Sequence, residues 1–146
     1  MTRPKVITLC GSSRFCDIMA VVAWILERDE GAIAMDLHLL PWWYSVEDIP
    51  DHLAEHEGCA TAMDALHLHK INLSNGIFVI DADVDGKPYI GSSTANEIRH
   101  AEGRGLPVRL FSEEANIRFE VYERMAAACE AHKQSSPTRT PEQEQG

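Results

Sequence analysis

The chain is short of positive charge. Thirteen Lys and Arg stand against 23 Asp and Glu, a formal net charge of −10. Such a field repels phosphate backbones and leaves no footprint for non-specific nucleic-acid binding, so a nucleic-acid partner is not expected. Long apolar runs are also missing. The longest, residues 19–26, falls far below the roughly 20 residues that cross a bilayer, so no membrane partner is expected. No signal peptide is read ahead of Val6, because Met1-Thr2-Arg3-Pro4 runs straight into a β-rich stretch, and a cytoplasmic location follows as an expectation. The four cysteines (Cys10, Cys16, Cys59, Cys129) form no CxxC pair and no tight spacing, and predict free, reduced thiols. Neither GxGxxG nor GxxxxGK[ST] occurs, and there are no internal repeats. No cofactor and no metal are expected.

What remains is 146 residues, enough for one domain with a real core and too few for two. Residues 1–133 read as that domain. The tail, residues 134–146, has no large apolar side chain and is expected to be disordered. Residues 5–10 (KVITLC) predict a strand, followed by a Gly11-Ser12-Ser13-Arg14 turn. Phe15, Ile18, Met19, Val22, Ile25 and Leu26 recur at helical spacing, with Gly31 as the stop. Residues 32–40 predict a second strand. Residues 41–50, with Trp42, Trp43 and Tyr44, predict a loop that either covers a pocket or packs against the core edge or a neighbouring subunit. Residues 51–74 read as helix, broken at Gly58, with Ala62, Ala65, Leu66, His69 and Leu73 near one face. Strands at 77–80 and 108–111 and helices at 94–103 and 113–132 complete the pattern. Strands alternating with helices predict a three-layer α/β domain on a parallel sheet of four to five strands.

The stretch 78–101, FVIDADVDGKPYIGSSTANEIRHA, carries the chemistry. An apolar strand stops at Asp81, Asp83 and Asp85, and a small-residue turn leads into a helix bearing Glu97. In open α/β sheets this carboxyl edge is where ligands bind. Across it, Gly11 permits a tight turn, Ser12, Ser13 and the free amides of a helix N-terminus can hold an anion, and Arg14 can add a charged fork. The purely structural alternative is that Ser13 caps the helix and Arg14 is solvated. Glu97 has an equally specific alternative: Thr94-x-x-Glu97 fits a capping box. Asp81-x-Asp83-x-Asp85-Gly86 resembles the start of a calcium loop, but Ser92 stands where a bidentate Glu is needed, which excludes an EF-hand. His52-x-x-Glu55-His56 matches the inverted zinc-peptidase pattern without a third ligand or a large enough domain around it. His67 and His69, two apart, fall on different helix faces and suggest no metal site.

Taken together, KVITLCGSSRF, MDALHLHKINLSNGIFVID and YIGSSTANEIRHA resemble the nucleoside 2-deoxyribosyltransferase-like superfamily, most closely its small bacterial and phage branch near the nucleoside-monophosphate N-glycosidases. The resemblance runs from Lys5 to about Phe111 and is most specific from Gly91 to Ala101. It implies a flavodoxin-like, doubly wound sheet and a dimer or larger homo-oligomer. It implies Glu97 as the nucleophile on the anomeric carbon of a (deoxy)nucleoside or its 5′-monophosphate, and Asp81 or Asp83 as an acid near the base or sugar. Gly11, Ser12, Ser13 and Arg14 on one side, and Tyr89, Gly91, Ser92, Ser93 and Thr94 on the other, would bind the substrate. Hydrolysis or base exchange would follow, as in retaining glycosidases. Glu97-Ile98-Arg99-His100-Ala101 departs from the transferases, which have a Gly soon after the nucleophile, and this leaves base selection open. The rival expectation is a non-catalytic nucleotide-binding module on the same fold.

Overall fold

The computed structural model describes residues 2–38 and 53–135. In chain order its elements are β1 (Val6–Gly11), α1 (Cys16–Glu30), β2 (Ile33–Met35), α2 (Leu53–His56), α3 (Ala60–Asn72), β3 (Gly76–Ile80), β4 (Asp83–Val84), β5 (Lys87–Pro88), α4 (Ser92–Gly103), β6 (Val108–Leu110) and α5 (Ala115–Ser135). Short 3-10 turns lie at Ser13–Phe15 and Phe111–Glu113.

Strands buried on both faces need near-continuous apolar runs, and GIFVI and VITLCG, broken only by Thr8, supply them. They become the two central strands of a four-stranded sheet in the order β2-β1-β3-β6. Each of the three pairings is parallel. The pleat divides their side chains between two layers. Ile7, Leu9, Phe78 and Ile80 pack with Met19, Val22 and Leu26 of α1 and Val121 of α5. Cys10, Ile77 and Val79 face the other way, against Ile71 of α3 and Ala101 of α4. The result is a three-layer, Rossmann-like α/β fold, as the alternation of elements predicts. No helix among the described residues is long and apolar enough to cross a membrane.

Several expected boundaries shift. α1 ends where expected: Gly31 takes the left-handed conformation (φ 62°) and its N–H returns to the Leu26 carbonyl. The helix break at Gly58 is also present (φ 75°). β2 is shorter than expected, pairing with β1 only as far as Met35. One residue later the Asp36 carbonyl accepts a hydrogen bond from Lys70 Nζ at 2.7 Å, which holds the chain over α3 instead of in the ladder. On α3 the buried face carries His67 and Ile71, whereas Leu66 and Leu73, expected near the packed face, are 58% and 72% exposed. Polar bonds fix this rotation: the Thr8 hydroxyl of β1 meets the Ser74 hydroxyl and the Lys70 carbonyl. The acidic stretch after β3 is an antiparallel ribbon, with Asp83 opposite Pro88 and Val84 opposite Lys87. Its turn is Asp85-Gly86, both at positive φ (53° and 80°), the pair that two-residue hairpins select. Gln134 and Ser135 complete α5; the rest of the expected tail and the Trp42-Trp43-Tyr44 cluster lie outside the described residues.

Candidate functional site

Gly11 ends β1 opposite Ile80, the last residue of β3, so both central strands deliver their chains to one edge. Gly11 sits at φ +153°, and a Cβ there would lie 2.8 Å from Met19 Cε and 3.1 Å from the Ile80 carbonyl oxygen. Only glycine fits this exit. The next turn is capped by Ser12, whose Oγ accepts from the Arg14 amide at 3.4 Å; the cap considered at Ser13 shifts by one because a 3-10 turn intervenes before α1. The Arg14 guanidinium lies over the Tyr89 ring, 4.5 Å from its centre. Tyr89 in turn meets Phe15 edge-on at 6.3 Å. Its hydroxyl stands 3.3 Å from where a Gly91 side chain would begin. Tyr89 thus ties the turn after β1 to the turn before α4.

α4 begins at Ser92, two residues earlier than the Thr94 start that the spacing suggests. Its cap is Gly91, in extended conformation (φ −77°, ψ 173°), with no side-chain cap bond. The capping box is therefore not formed. Thr94 is a buried residue inside the first turn, and Glu97 lies one turn further in. Ser92 and Ser93 are exposed at a helix end whose amides no side chain caps.

Glu97 is 5% exposed, and its Oε2 has no hydrogen-bond partner. Burial pushes its carboxyl up to about 7, opposed by the Cys10 thiol and assisted by the charge of Asp64. Cys10, fully buried near the end of β1, has its thiol raised well above the ordinary value by burial and by the Glu97 charge. His67 of α3 completes the group, with Nε2 3.5 Å from Cys10 Sγ. Burial, Lys70 and His38 lower His67 to about 4, opposed by a hydrogen bond with the Leu9 backbone, so it is neutral. The ring of His38 stands edge-on to it at 6.2 Å.

The acidic residues after β3 go elsewhere. Asp81 is buried, and its carboxylate accepts from Ser112 twice, from the amide at 2.7 Å and from the hydroxyl at 2.5 Å. This ties the end of β3 to the turn after β6. Asp83 is exposed on the ribbon, and its charge acts on Tyr122 of α5, in the layer opposite Glu97. The carboxylate whose charge reaches Glu97 is Asp64, on α3.

No family model, curated protein or solved structure matches the chain.

The structure thus brings Gly11, Ser12, Arg14, Tyr89 and Gly91 together at one edge, with Glu97 buried beside the end of β1. By local pattern Cys10 and His67 carry no site, and Asp64 is not singled out. Cys10 reads as an ordinary core thiol, and His67 gains its meaning only when α3 packs on β1. The His52-x-x-Glu55-His56 motif straddles the limit of the described residues: α2 carries Leu53–His56, and His52 lies outside them. A carboxyl poised near neutrality, beside an uncapped helix end and a glycine turn, can exchange protons or act as a nucleophile.

Proposed function

We propose that the protein cleaves the N-glycosidic bond of a (deoxy)nucleoside, with a 5′-monophosphate as the favoured class, through Glu97. The observation that carries this reading is that Glu97 is freed from helix capping: the helix starts at Ser92, and Oε2 is left buried and without a partner. A buried orphan carboxyl oxygen costs stability, and a catalytic role is one reason for a fold to keep it. A helix start whose cap is a glycine offers its amides to an anion, and the Ser12-Ser13-Arg14 turn lies across Tyr89 from it.

In this mechanism the ionised Glu97 oxygen attacks the anomeric carbon. The C–N bond breaks, and the base leaves with the bonding pair and takes up a proton. The glycosyl ester that forms is then opened by water or by a second base. The oxocarbenium-like transition state is stabilised by the adjacent carboxylate. With Glu97 near 7, about half of the enzyme carries the ionised nucleophile at neutral pH. Asp81 is engaged by Ser112, so its part is to shape the edge; Asp83 acts on Tyr122 in the opposite layer, so the leaving base takes its proton from water. Assembly into a homo-oligomer and a cytoplasmic setting belong to the same proposal.

The test is release of free base. The protein is incubated with a panel of nucleosides and monophosphates, and base is followed by chromatography. Wild type is expected to release base, and Glu97→Ala to abolish release with an unchanged circular-dichroism spectrum. Binding without release by wild type would instead make the protein a nucleotide-binding module.

A further inference from the structure

We propose that Cys10, His67 and Glu97 form a binding site for a single thiophilic divalent transition-metal ion of the zinc class, and that its occupancy withholds Glu97 from substrate. The residues come from three elements, β1, α3 and α4, and all are buried. Their ligand atoms lie within 4.8 Å of one another. The Sγ–Nε2 separation is 3.5 Å. Tetrahedral zinc, with Zn–S near 2.3 Å and Zn–N near 2.05 Å, places sulfur and nitrogen about 3.6 Å apart. Bringing the carboxylate oxygen to tetrahedral spacing needs a movement of about 1.4 Å at most, which a glutamate side chain supplies by rotation.

The donor set decides the class of metal. One sulfur, one imidazole nitrogen and one carboxylate oxygen suit zinc or cobalt, whereas magnesium and calcium require oxygen ligands. A thiolate and a carboxylate balance a charge of +2, with the imidazole neutral. One observation besides proximity points to a ligand. Glu97 Oε2 is buried and unpartnered, an acceptor that a cation would satisfy. On binding, the ion takes the places of the thiol and carboxyl protons, which pass to solvent. Three protein ligands leave a fourth position for water.

Metal binding stands apart from the glycosidase reading, whereas its inhibitory consequence rests on it. The full chain, stripped with EDTA and dialysed, is titrated with Co2+, and thiolate-to-cobalt absorption is followed in the near ultraviolet. One saturable equivalent is expected, displaced by Zn2+. Cys10→Ser and His67→Gln should each weaken binding at least about tenfold. A variant with Cys16, Cys59 and Cys129 all replaced by Ser should keep the band. No thiolate band from wild type, or a band lost in the triple variant, overturns the site, even if Cys10→Ser fails to fold. For a substrate that releases base, Zn2+ should stop release and EDTA restore it. Turnover unaffected by saturating Zn2+ overturns the inhibitory half. If no substrate releases base, the glycosidase reading fails while the cobalt band still decides the metal site.

Discussion

Replacing Glu97 by Gln should expose a pH dependence of stability that wild type conceals. Glu97 rises on folding from an ordinary value of 4.5 to about 7. The folded state therefore holds a proton the unfolded chain gives up, and stability falls as pH rises from 4.5 to 7. At about 1.4 kcal/mol per tenfold in affinity, the loss is about 3 kcal/mol. His67 moves the other way, from 6.5 to about 4. The folded state refuses a proton the unfolded chain accepts, so stability is full above 6.5 and is lost as pH falls towards 4, again by about 3 kcal/mol. The two slopes run through nearly the same window with opposite sign, and together they leave wild type almost flat. Urea unfolding of the metal-free protein in EDTA, at intervals from pH 4 to 8, measures this directly. The Glu97→Gln variant should gain on wild type by about 3 kcal/mol between pH 4.5 and 7. His67→Gln should lose on wild type by a similar amount between pH 4 and 6.5, a mirror image. Asp64, Lys70 and His38 act in all three proteins and cancel in the differences. If Glu97 and His67 instead form a carboxylate–imidazolium pair, both slopes reverse, and that result would refute the account.

Turnover should also rise with pH through about 7 as Glu97 ionises; a kcat/KM profile already level from pH 5.5 upward would contradict it. Gly11→Ala should destabilise by about 3 kcal/mol, because positive φ and the clash with the Ile80 carbonyl act together, as a urea midpoint would report. Gly91→Ala, at ordinary φ and against the movable Tyr89 hydroxyl, should cost under about 1 kcal/mol in the same assay. Asp81→Ala removes the charged acceptor of two Ser112 hydrogen bonds and should lower stability by about 2 kcal/mol. Asp83→Asn, on the exposed ribbon, should stay within about 0.5 kcal/mol of wild type.

The fold was legible because its signals are local and strong. Two apolar runs, a glycine after α1 and a glycine break near residue 58 each act within a few residues of themselves. The start of α4 was not, because Thr94-x-x-Glu97 and Gly91 both make acceptable beginnings, and the choice depends on where β3 and its ribbon deliver the chain. The Asp85-Gly86 hairpin was present as a dipeptide signal, yet it closes a ribbon of only two residues per strand, too short to show alternation. The rotation of α3 eluded pattern reading for a different reason. Its fully buried residues are a histidine and one isoleucine, with Leu68 partly buried, while Leu66 and Leu73 face outward. Hydroxyl bonds to Thr8 set that rotation, and no helical periodicity encodes them. The pairing of Cys10 with His67 followed from the same rotation, so it was equally hidden.

Among the described residues the outer strands of the sheet, Ile33–Met35 and Val108–Leu110, are three residues long. A strand arriving from another molecule would find a ladder only three residues long on either side, too little to anchor it. Growth of the sheet from chain to chain is therefore a poor route to assembly for this protein. Helix faces are the better one, and Phe119 and Tyr122 of α5, 71% and 45% exposed, are apolar side chains of the size such contacts use.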